Sequence, residues 1–352
     1  MRTLIASPVP ALPRRLFAAL ADGQLHSGAE LAAREGVTRS AVWKAINQLR
    51  ADGALVDAVP NRGYRMQFAC TLLDATALRA AMPPPVAATF EAIDSVWSVD
   101  STNTALLACG APQPGRCRLL VAEHQSAGRG RLGRRWVGVL GGSLLLSVSA
   151  ALTELPRDIA ALPLVAGLAV RRALASQSVP DVWLKWPNDI VTRTPAAAHV
   201  AGGGSISLHK LGGILTELRA EASGPAHVVI GIGLNLRRAE LSPAVAAAGA
   251  LPPAALGDLV DAPLNRNVLA AAIAAECAAA LVALQRDGFA PRHAEWNAAD
   301  ALAGESVIVR GAGAADLHGI ARGIDAGGAL QVEQGGRLRA VVAGDVSVRP
   351  AP

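Results

Sequence analysis

The sequence predicts a multidomain α+β protein, in which a small helical unit and a small β unit flank a larger mixed domain. Three observations support this fold class. The 352-residue chain is too long for one typical core. Apolar residues make up 51% of it and charged residues 17%, which is a globular composition. The pattern of apolar residues also changes twice, over residues 68–90 and again near residue 300.

Residues 12–67 have the pattern of a winged helix-turn-helix. Ser27 and Glu30 form a capping box at the start of a second helix, which ends at Gly36. Thr38 is expected to cap a third helix that runs to Arg50, and a hairpin follows over residues 55–66. In this layout the third helix reads the major groove of DNA.

The charge of this unit favours contact with DNA phosphates. It holds eight basic and five acidic residues, and the basic excess lies on the third helix and the hairpin turn. The alternative is a small helical bundle with a solvated charged face. We expect six residues to contact DNA: Arg39, Ser40, Lys44, Asn47, Arg50 and Arg62.

The rest of the chain divides into three further segments. Residues 68–90 are expected to be a linker, because one short helical run is followed there by three prolines at 83–85, which we exclude from helix. Residues 91–299 mix β-like and helical runs and form the expected catalytic domain, with one main mixed sheet. Residues 300–350 are short β-like runs separated by glycines, which predicts a small barrel.

Bulk properties argue against several classes of protein. The four cysteines form no C-x-x-C pair, which argues against a zinc site and for reduced thiols in a cytosol. Residues 1–13 lack the long apolar core of a signal peptide. Residues 268–284, the most apolar long stretch, carry Glu276 and predict a buried helix rather than a membrane span. We expect a cytoplasmic protein without membrane contact.

Residues 128–136 hold the densest cluster of polar chemistry, four arginines interleaved with glycines. The segment fits the G-x-G-x-x-G expression, but the preceding β-like run ends near Ala122 and no helix follows, so a dinucleotide loop is excluded. No P-loop motif is present. RNA-binding Arg-Gly tracts are long and repetitive, whereas this is one short insert. Because four guanidinium groups repel one another unless an anion neutralises them, we predict a loop that binds phosphate or carboxylate.

Two lysines and an acid are predicted to complete the reaction centre. Lys185 and Asp189 lie at the end of one β-like run, and Lys210 begins another. Lysines at strand ends can neutralise an α-phosphate and a carboxylate that must approach each other. Asp189 is expected to hold Mg²⁺ on the phosphates. With Arg131 from the loop, these are the expected catalytic residues.

Five motifs occur in the order found in biotin–protein ligases, and the whole chain resembles the bifunctional bacterial type. They are Asp100-Ser101-Thr102-Asn103, residues 123–136, Lys185-Trp186-Pro187-Asn188-Asp189, Lys210-Leu211-Gly212-Gly213-Ile214-Leu215 and residues 231–235. The resemblance implies that biotin and ATP, with Mg²⁺, form biotinyl-5′-AMP and pyrophosphate. A lysine of the biotin carboxyl carrier protein of acetyl-CoA carboxylase then accepts the biotin.

The resemblance also implies binding residues, folds and partners. The implied biotin- or adenylate-binding residues are Ser101, Thr102, Asn103, Gln125, Gly128, Arg129, Gly130, Arg131, Lys210 and Asn235. The implied catalytic domain is akin to class II aminoacyl-tRNA synthetases, and the implied C-terminal domain is an SH3-like barrel. The ligand-bound protein is expected to form a homodimer, bind operator DNA and repress transcription of biotin-synthesis genes.

The chain departs from the family pattern on the nucleotide side, at residues 137–142, 194–207 and 237–259. Two alternative functions stay open. A ligand-responsive regulator with an inactive ligase centre would lack Arg129, Arg131 or Lys210, all of which are present. A lipoate ligase shares the catalytic fold but lacks the Gly-Arg loop and usually the winged helix.

Overall fold

Three sheets follow one another along the chain. The computed structural model describes residues 11–195, 206–220, 225–237, 251–311, 316–344 and 346–351. Within them lie a two-stranded hairpin, a seven-stranded mixed sheet and a five-stranded antiparallel sheet. The predicted α+β class is confirmed in this form: an N-terminal helix-turn-helix unit, a central domain with a mixed sheet and a C-terminal β-rich domain.

The N-terminal unit consists of three helices and a hairpin. Its elements are α1 (Ala11–Leu20), α2 (Gly28–Glu35), α3 (Arg39–Ala51), β1 (Val56–Val59) and β2 (Gly63–Met66). The capping box of Ser27 and Glu30 is present, and Gly36 ends α2. Thr38 caps α3 through its hydroxyl group, and one face of α3 is buried. Local capping signals therefore placed these helices correctly.

Residues 68–90 pack into the central domain. They form two short helices, α4 (Ala75–Ala80) and α5 (Pro84–Thr89). Excluding the proline run from helix was wrong, because Pro84 and Pro85 occupy the first turn of α5, where the missing N–H would have no helical partner. Leu78 and Ala87 are buried in the same apolar cluster as the central sheet.

The central sheet has the strand order β3-β4-β5-β9-β8-β7-β6. Its strands are β3 (Phe90–Val99), β4 (Cys117–Gln125), β5 (Ser143–Leu152), β6 (Trp183–Lys185), β7 (Asp189–Pro195), β8 (Ile206–Arg219) and β9 (Ala226–Asn235). Only β3 and β4 pair in parallel; the other five pairs of neighbouring strands are antiparallel. The sequence did not predict β3 or β7.

Helices cover both faces of this sheet. They are α6 (Thr102–Ala108), α7 (Leu162–Ser176), α8 (Arg266–Asp287) and α9 (His293–Ala298). Alternate residues of β4 point to opposite faces: Leu119 and Val121 join the cluster of α7 and α8, while Leu120 joins that of α6. The run Ile159–Ser176 and α8 are each long and apolar enough to cross a membrane, but most of each is buried in the core.

The C-terminal domain is the five-stranded sheet, ordered β13-β12-β11-β10-β14. Its strands are β10 (Ser306–Gly311), β11 (Leu317–Ile324), β12 (Leu330–Gln334), β13 (Arg337–Val341) and β14 (Val346–Pro350). Buried Trp186 of the central domain donates from its Nε1 to Gly328 O at 3.1 Å. The Asn297 amide in α9 binds both the N–H and the O of Ile324. These bonds fix the small sheet against the central domain.

The N-terminal unit shares an apolar core with the central domain. The rings of Phe17 and Trp97 meet edge to face, with their centroids 5.3 Å apart. Leu140 lies in the same cluster and donates its N–H to Gly53 O at 3.2 Å. A Cβ at Gly141 would lie 3.0 Å from Phe17 Cζ, so the chain approaches too closely there for a side chain. The end of the atypical segment 137–142 therefore packs against the N-terminal unit.

Candidate active site

One large cleft lies where the three units meet. Its volume is about 1520 Å³, and its walls include Leu55, Lys210 and Arg349, one from each of the three units. Pockets for one small ligand typically measure roughly 300–1,000 Å³. The cleft therefore has room for two substrates at once.

Its buried end is a network of neutral polar side chains at the start of α6. The Thr102 backbone N–H donates to Gln125 Oε1 at 2.8 Å. The Ser147 hydroxyl oxygen lies 2.7 Å from Thr102 Oγ1 and 2.6 Å from Asn103 Oδ1. Ser101, Thr102, Asn103 and Ser147 are all buried. A network held away from water can select a ligand by its pattern of donors and acceptors.

Two glycines of β9 allow side chains to close over the sheet. A Cβ at Gly231 would lie 2.2 Å from Asn103 Oδ1, and a Cβ at Gly233 would lie 2.5 Å from Trp136 Cε2. Lys210 Nζ lies 5.8 Å from the centroid of the Trp136 ring, within cation–π range. Gly231 and Gly233 thus seat the polar network and the Trp136–Lys210 pair side by side along one strand.

Backbone hydrogen bonds close residues 128–136 into a compact loop. The Trp136 N–H donates to Gly128 O at 2.9 Å, and the Gly130 N–H donates to Arg134 O at 2.7 Å. Further N–H···O bonds tie the two residues before the loop to the end of β3. The loop is therefore held in one shape at the side of the cleft.

The exclusion of a dinucleotide-binding loop depends on the element after the glycines. β4 ends at Gln125, not near Ala122 as expected, so a strand does lead almost directly into the loop. A single 3₁₀ turn, Arg131–Gly133, comes next in place of an α-helix. Without a helix N-terminus to bind a pyrophosphate, a dinucleotide-binding loop stays excluded.

Two of the loop arginines bind protein groups beside the loop, and the Glu217 carboxylate neutralises one of the four charges for which a bound anion was expected. Arg129 Nη2 lies 3.0 Å from both carboxylate oxygens of Glu217 and donates to Thr104 Oγ1 at 2.9 Å. Arg135 donates to Ser126 O at 3.3 Å. Arg129 thereby anchors the loop to α6 and β8.

Arg131 joins three segments at the cleft. Its Nη2 donates to Gly344 O at 2.5 Å and to Val346 O at 3.4 Å, both in the C-terminal domain. Its Nη1 donates to Asn188 Oδ1 at 3.3 Å. The Asn188 amide in turn donates to Ile214 O at 2.7 Å. A shift of this guanidinium group would therefore affect the loop, the segment after β6 and the C-terminal strand together.

Two lysines share one carboxylate in the cleft. Lys210 Nζ lies 2.5 Å from Asp189 Oδ1, and Lys185 Nζ lies 3.1 Å from Asp189 Oδ2. The turn between β6 and β7 makes Lys185 and Asp189 cross-strand partners, and β8 brings Lys210 beside β7. Two ammonium groups and one carboxylate leave a net positive charge for an anionic ligand.

The two lysines also lower the pKa of Asp189. Burial alone would raise the pKa of the Asp189 carboxyl, but the neighbouring charges of Lys185 and Lys210 outweigh burial and hold that pKa well below its usual range. The carboxylate therefore stays ionised at neutral pH and keeps both lysines in place.

Asp189 does not fit the expected role of a Mg²⁺ ligand. Both of its oxygens already accept from ammonium groups, and a divalent cation there would meet two positive charges at short range. Among the described residues, no group of three or more side chains suited to metal binding occurs. The Asp189 carboxylate, as described, binds the two lysines.

Asn235, expected to contact an adenylate, hydrogen-bonds to the main chain beside Lys210. Its Nδ2 lies 3.3 Å from Lys210 O and 3.2 Å from Ala254 O. The Lys210 N–H donates to Pro252 O at 2.7 Å. The described end of the atypical segment 237–259 therefore runs along Lys210. Most of the atypical segment 194–207 lies outside the described residues.

Three family models match the chain, in the order of its three units. They are "HTH domain" over residues 15–65, "Biotin/lipoate A/B protein ligase family" over residues 96–235 and "Biotin protein ligase C terminal domain" over residues 303–349. The chain is also 33% identical over 341 residues to "Bifunctional ligase/repressor BirA" of Salmonella typhimurium, an alignment that covers 97% of this chain and 98% of the relative. The chain belongs to this ligase/repressor family.

Other members agree with this assignment. The relative of the same printed name in Escherichia coli matches to the same extent, at 33% identity over 97% of this chain and 98% of its own length. "Biotin--[acetyl-CoA-carboxylase] ligase" of Mycobacterium tuberculosis is 37% identical over 72% of this chain and 88% of its own. A solved biotin protein ligase from Aquifex aeolicus, in complex with biotin and ATP, has a TM-score of 0.59 at 24% identity and covers 74% of this chain and 100% of its own; it supports the fold.

The cleft of this family member brings together residues that are far apart in sequence. It gathers most of the predicted catalytic and binding residues: Ser101, Thr102, Asn103, Gln125, Arg129, Gly130, Arg131, Lys185, Asp189, Lys210 and Asn235. Gly128 lies at the base of the loop, where its carbonyl group binds Trp136. The predictions missed Ser147 and Glu217, which hold the polar network and Arg129. A lone serine or glutamate within a strand gives no sequence signal.

Five of the six residues expected to contact DNA lie on the exposed side of α3 or at the turn of the hairpin. Arg39, Ser40, Lys44 and Arg62 are exposed, and Asn47 is half-buried on the same side. Arg50 is placed differently: its guanidinium group donates to Val56 O at 2.7 and 2.9 Å and so ties α3 to the wing.

One aromatic residue on this surface was missed. Trp43 lies among the polar residues of α3 and is 56% exposed. Its position, three residues after Ser40 and four before Asn47, is the signal that could have identified it. The exposed face of α3 thus combines basic, polar and aromatic side chains.

Proposed function

We propose that this protein joins biotin to ATP, releasing pyrophosphate and forming biotinyl-5′-AMP, and then transfers the biotin to a lysine of the carrier protein of acetyl-CoA carboxylase. One observation carries the proposal. A buried network of neutral polar groups and a cluster with net positive charge lie in a single cleft that has room for two substrates. That arrangement suits an uncharged polar ring at one end and two reacting anions at the other.

The neutral network holds the ureido ring of biotin. That ring presents one carbonyl oxygen and two N–H groups, and it carries no charge. Ser101, Thr102 and Asn103 supply buried donors and acceptors, and half-buried Gln125 accepts from the Thr102 N–H. Ser147 positions two of them. Buried polar groups reject a ligand that leaves them without partners, so this end determines specificity.

The lysine cluster brings the two anions together. In the first step an oxygen of the biotin carboxylate attacks the α-phosphorus of ATP, and the bond from phosphorus to the pyrophosphate oxygen breaks. Lys210 neutralises the approaching charges, and Arg131 stabilises the phosphate side. Lys185 and Asp189 hold Lys210 in position. In the second step the carrier lysine attacks the biotinyl carbonyl carbon, and AMP leaves.

Further assignments belong to this proposal. ATP enters as its magnesium complex, with the metal bound by the phosphates, and Asp189 is not a ligand. The central domain is akin to class II aminoacyl-tRNA synthetases, and the C-terminal domain is an SH3-like barrel. The protein acts in the cytoplasm without membrane contact. We keep the domain boundaries at 67/68, 90/91 and 299/300 as predictions.

The test is pyrophosphate release by the purified full-length protein. We expect ATP to yield pyrophosphate only when biotin is added, with transfer of labelled biotin to a purified, unbiotinylated carrier domain. Lipoate replaces biotin as the control and should give no release. Release without biotin, or equal release with lipoate, would contradict the proposal.

A second function, repression of biotin-synthesis genes, is favoured by the exposed basic and aromatic face of α3. We propose that the protein loaded with biotinyl-5′-AMP forms a homodimer and binds operator DNA through this face. Binding to a duplex from the biotin-synthesis promoter should weaken with salt, and Lys44→Ala should reduce the salt slope by about two, one for each protomer of the dimer. A scrambled duplex is the control. Equal affinity for both duplexes would rule out an operator.

A further inference from the structure

β13 is the end strand of the C-terminal sheet, and it is exposed on both faces. Among the described residues it pairs only with β12. Its first four residues are all exposed, although residues on a strand normally alternate between core and solvent. β12 shows that alternation, with Leu330 and Val332 fully buried. β13 therefore adds almost nothing to the apolar core of its own domain.

This strand carries apolar and basic side chains together. Leu338 is 62% exposed, and Val342, just after the strand, is 67% exposed. Arg337 and Arg339 flank Leu338, and neither forms an ion pair with the described residues. An edge strand with unpaired N–H and C=O groups can accept another strand. The two arginines of β13 favour a partner strand with negatively charged side chains.

The charges favour an acidic partner over a second copy of this chain. The protein has a formal net charge of +5 at pH 7, and two copies of β13 side by side would place arginines against arginines. A strand with aspartate or glutamate side chains would instead neutralise Arg337 and Arg339. The exposed Leu338 would then be covered by the partner.

The strand also ends next to the reaction centre. Only two residues lie between Val341, the end of β13, and Gly344, so roughly 10 Å of extended chain joins them. Gly344 O accepts from Arg131 of the Gly-Arg loop at 2.5 Å. Val346 and Arg349, in the next strand, line the cleft. The chain that leaves β13 thus leads directly to residues that contact the Gly-Arg loop and line the cleft.

We propose that β13 is the docking edge for the biotin acceptor: an acidic domain adds a strand to β13, covers Leu338 and presents its lysine to the cleft. The inference rests on the proposed transfer reaction and deepens it by naming the surface that selects the acceptor. Arg337 and Arg339 pair with acidic side chains of the acceptor.

The test compares adenylation with transfer in the full-length protein. The probe is a purified, unbiotinylated carrier domain of acetyl-CoA carboxylase. Leu338→Glu/Arg339→Glu should raise the KM for this carrier at least about tenfold. Biotin-dependent pyrophosphate release without carrier should be unchanged. The matched control is Val282→Glu on α8, where Val282 is 62% exposed and does not line the cleft. It should change neither quantity.

A second variant keeps the test decisive if the first one folds poorly. Arg337→Ala/Arg339→Ala leaves Leu338 in place and should raise the KM by about threefold and weaken its dependence on salt. An unchanged carrier KM in both variants would overturn the docking edge. Sedimentation could also show that wild type self-associates through β13. Together with a carrier KM that neither variant changes, that result would likewise contradict the proposal. Absence of biotin-dependent pyrophosphate release in wild type would instead contradict the proposed function itself.

Discussion

The two ends of the cleft differ in the charge of the side chains that form them. At the buried end Thr102, Asn103 and Ser147 form a neutral network with oxygen–oxygen distances of 2.6 and 2.7 Å. At the other end Lys185 and Lys210 enclose a single carboxylate. Neutral networks discriminate between ligands, while fixed charges stabilise charge that builds up during reaction. The contrast separates recognition from catalysis within one cavity.

The largest expected effect is the loss of adenylation in Lys210→Ala. Removing one fixed donor from a charge-stabilising site typically costs about 10²–10³-fold in kcat. Burst-phase measurement of pyrophosphate release checks this, and circular dichroism checks that the fold is kept. The control is Arg286→Ala, which also removes a positive charge but from an exposed side chain of α8; it should leave the rate of adenylation unchanged. A near-normal rate of adenylation in Lys210→Ala would show that another group has the catalytic role.

Asp189→Asn tests whether the charged end also stabilises the fold. Lys185 is 6% exposed, and without the Asp189 carboxylate it would lose its hydrogen-bonded counter-ion. Losing one partner of a buried ion pair costs about 3–5 kcal/mol in free energy of unfolding. Because the folded pKa of Asp189 is depressed, its stabilisation is present above the unfolded pKa of about 3.9 and is lost as pH falls towards the folded value. Urea titrations at pH 7 and near pH 3 should therefore show the difference shrinking with acid.

Asp300 is the matched acid for that experiment, because its ionisation is expected to destabilise the fold rather than stabilise it. Burial raises the pKa of the Asp300 carboxyl to about 6, and its Oδ2 has no hydrogen-bond partner among the described residues. A raised pKa in an acid means that ionisation destabilises the folded state as pH rises from about 3.9 to about 6. Asp300→Asn should therefore have a higher free energy of unfolding than wild type at pH 8, and this gain should be smaller at pH 4. Loss of stability at pH 8 in both variants would refute the contrast.

Ser147→Ala addresses the neutral end and should have the smallest effect. Leaving buried groups without a partner costs about 1–3 kcal/mol, which corresponds to a rise of at least about fivefold in the KM for biotin. The KM for ATP should not change. Ser149, two residues along the same face of β5, is the control, because its hydroxyl has no partner among the described residues and its replacement by alanine removes no bond. Equal effects of the two variants on the biotin KM would contradict the assigned role of Ser147.

Sequence predicted the elements whose signals are local. The capping box of Ser27 and Glu30 and the helix cap at Thr38 placed α2 and α3 within a residue or two. β3 was missed because Glu91 and Asp94 interrupt its apolar run, although Asp94 is 5% exposed in the folded protein. Its parallel pairing with β4 depends on contacts that no local pattern records.

The candidate site shows the same limit at the level of side chains. Lys185, Asp189 and Lys210 were predicted as a group, but the sequence did not reveal that each oxygen of the acid binds one of the two lysines. That distinction needs the register of β7 against β8. Glu217 lies 88 residues from its partner Arg129 and was invisible for the same reason.

The packing of Trp97 and Leu140 against the winged helix has a consequence for how the protein can be divided. Both side chains are nearly inaccessible to water, and the cluster that covers them is supplied by the N-terminal unit. A chain begun after residue 67 would present an indole ring and a leucine to solvent at one wall of the catalytic domain. The winged helix therefore cannot be removed without consequence, because it covers apolar side chains that belong to the catalytic domain.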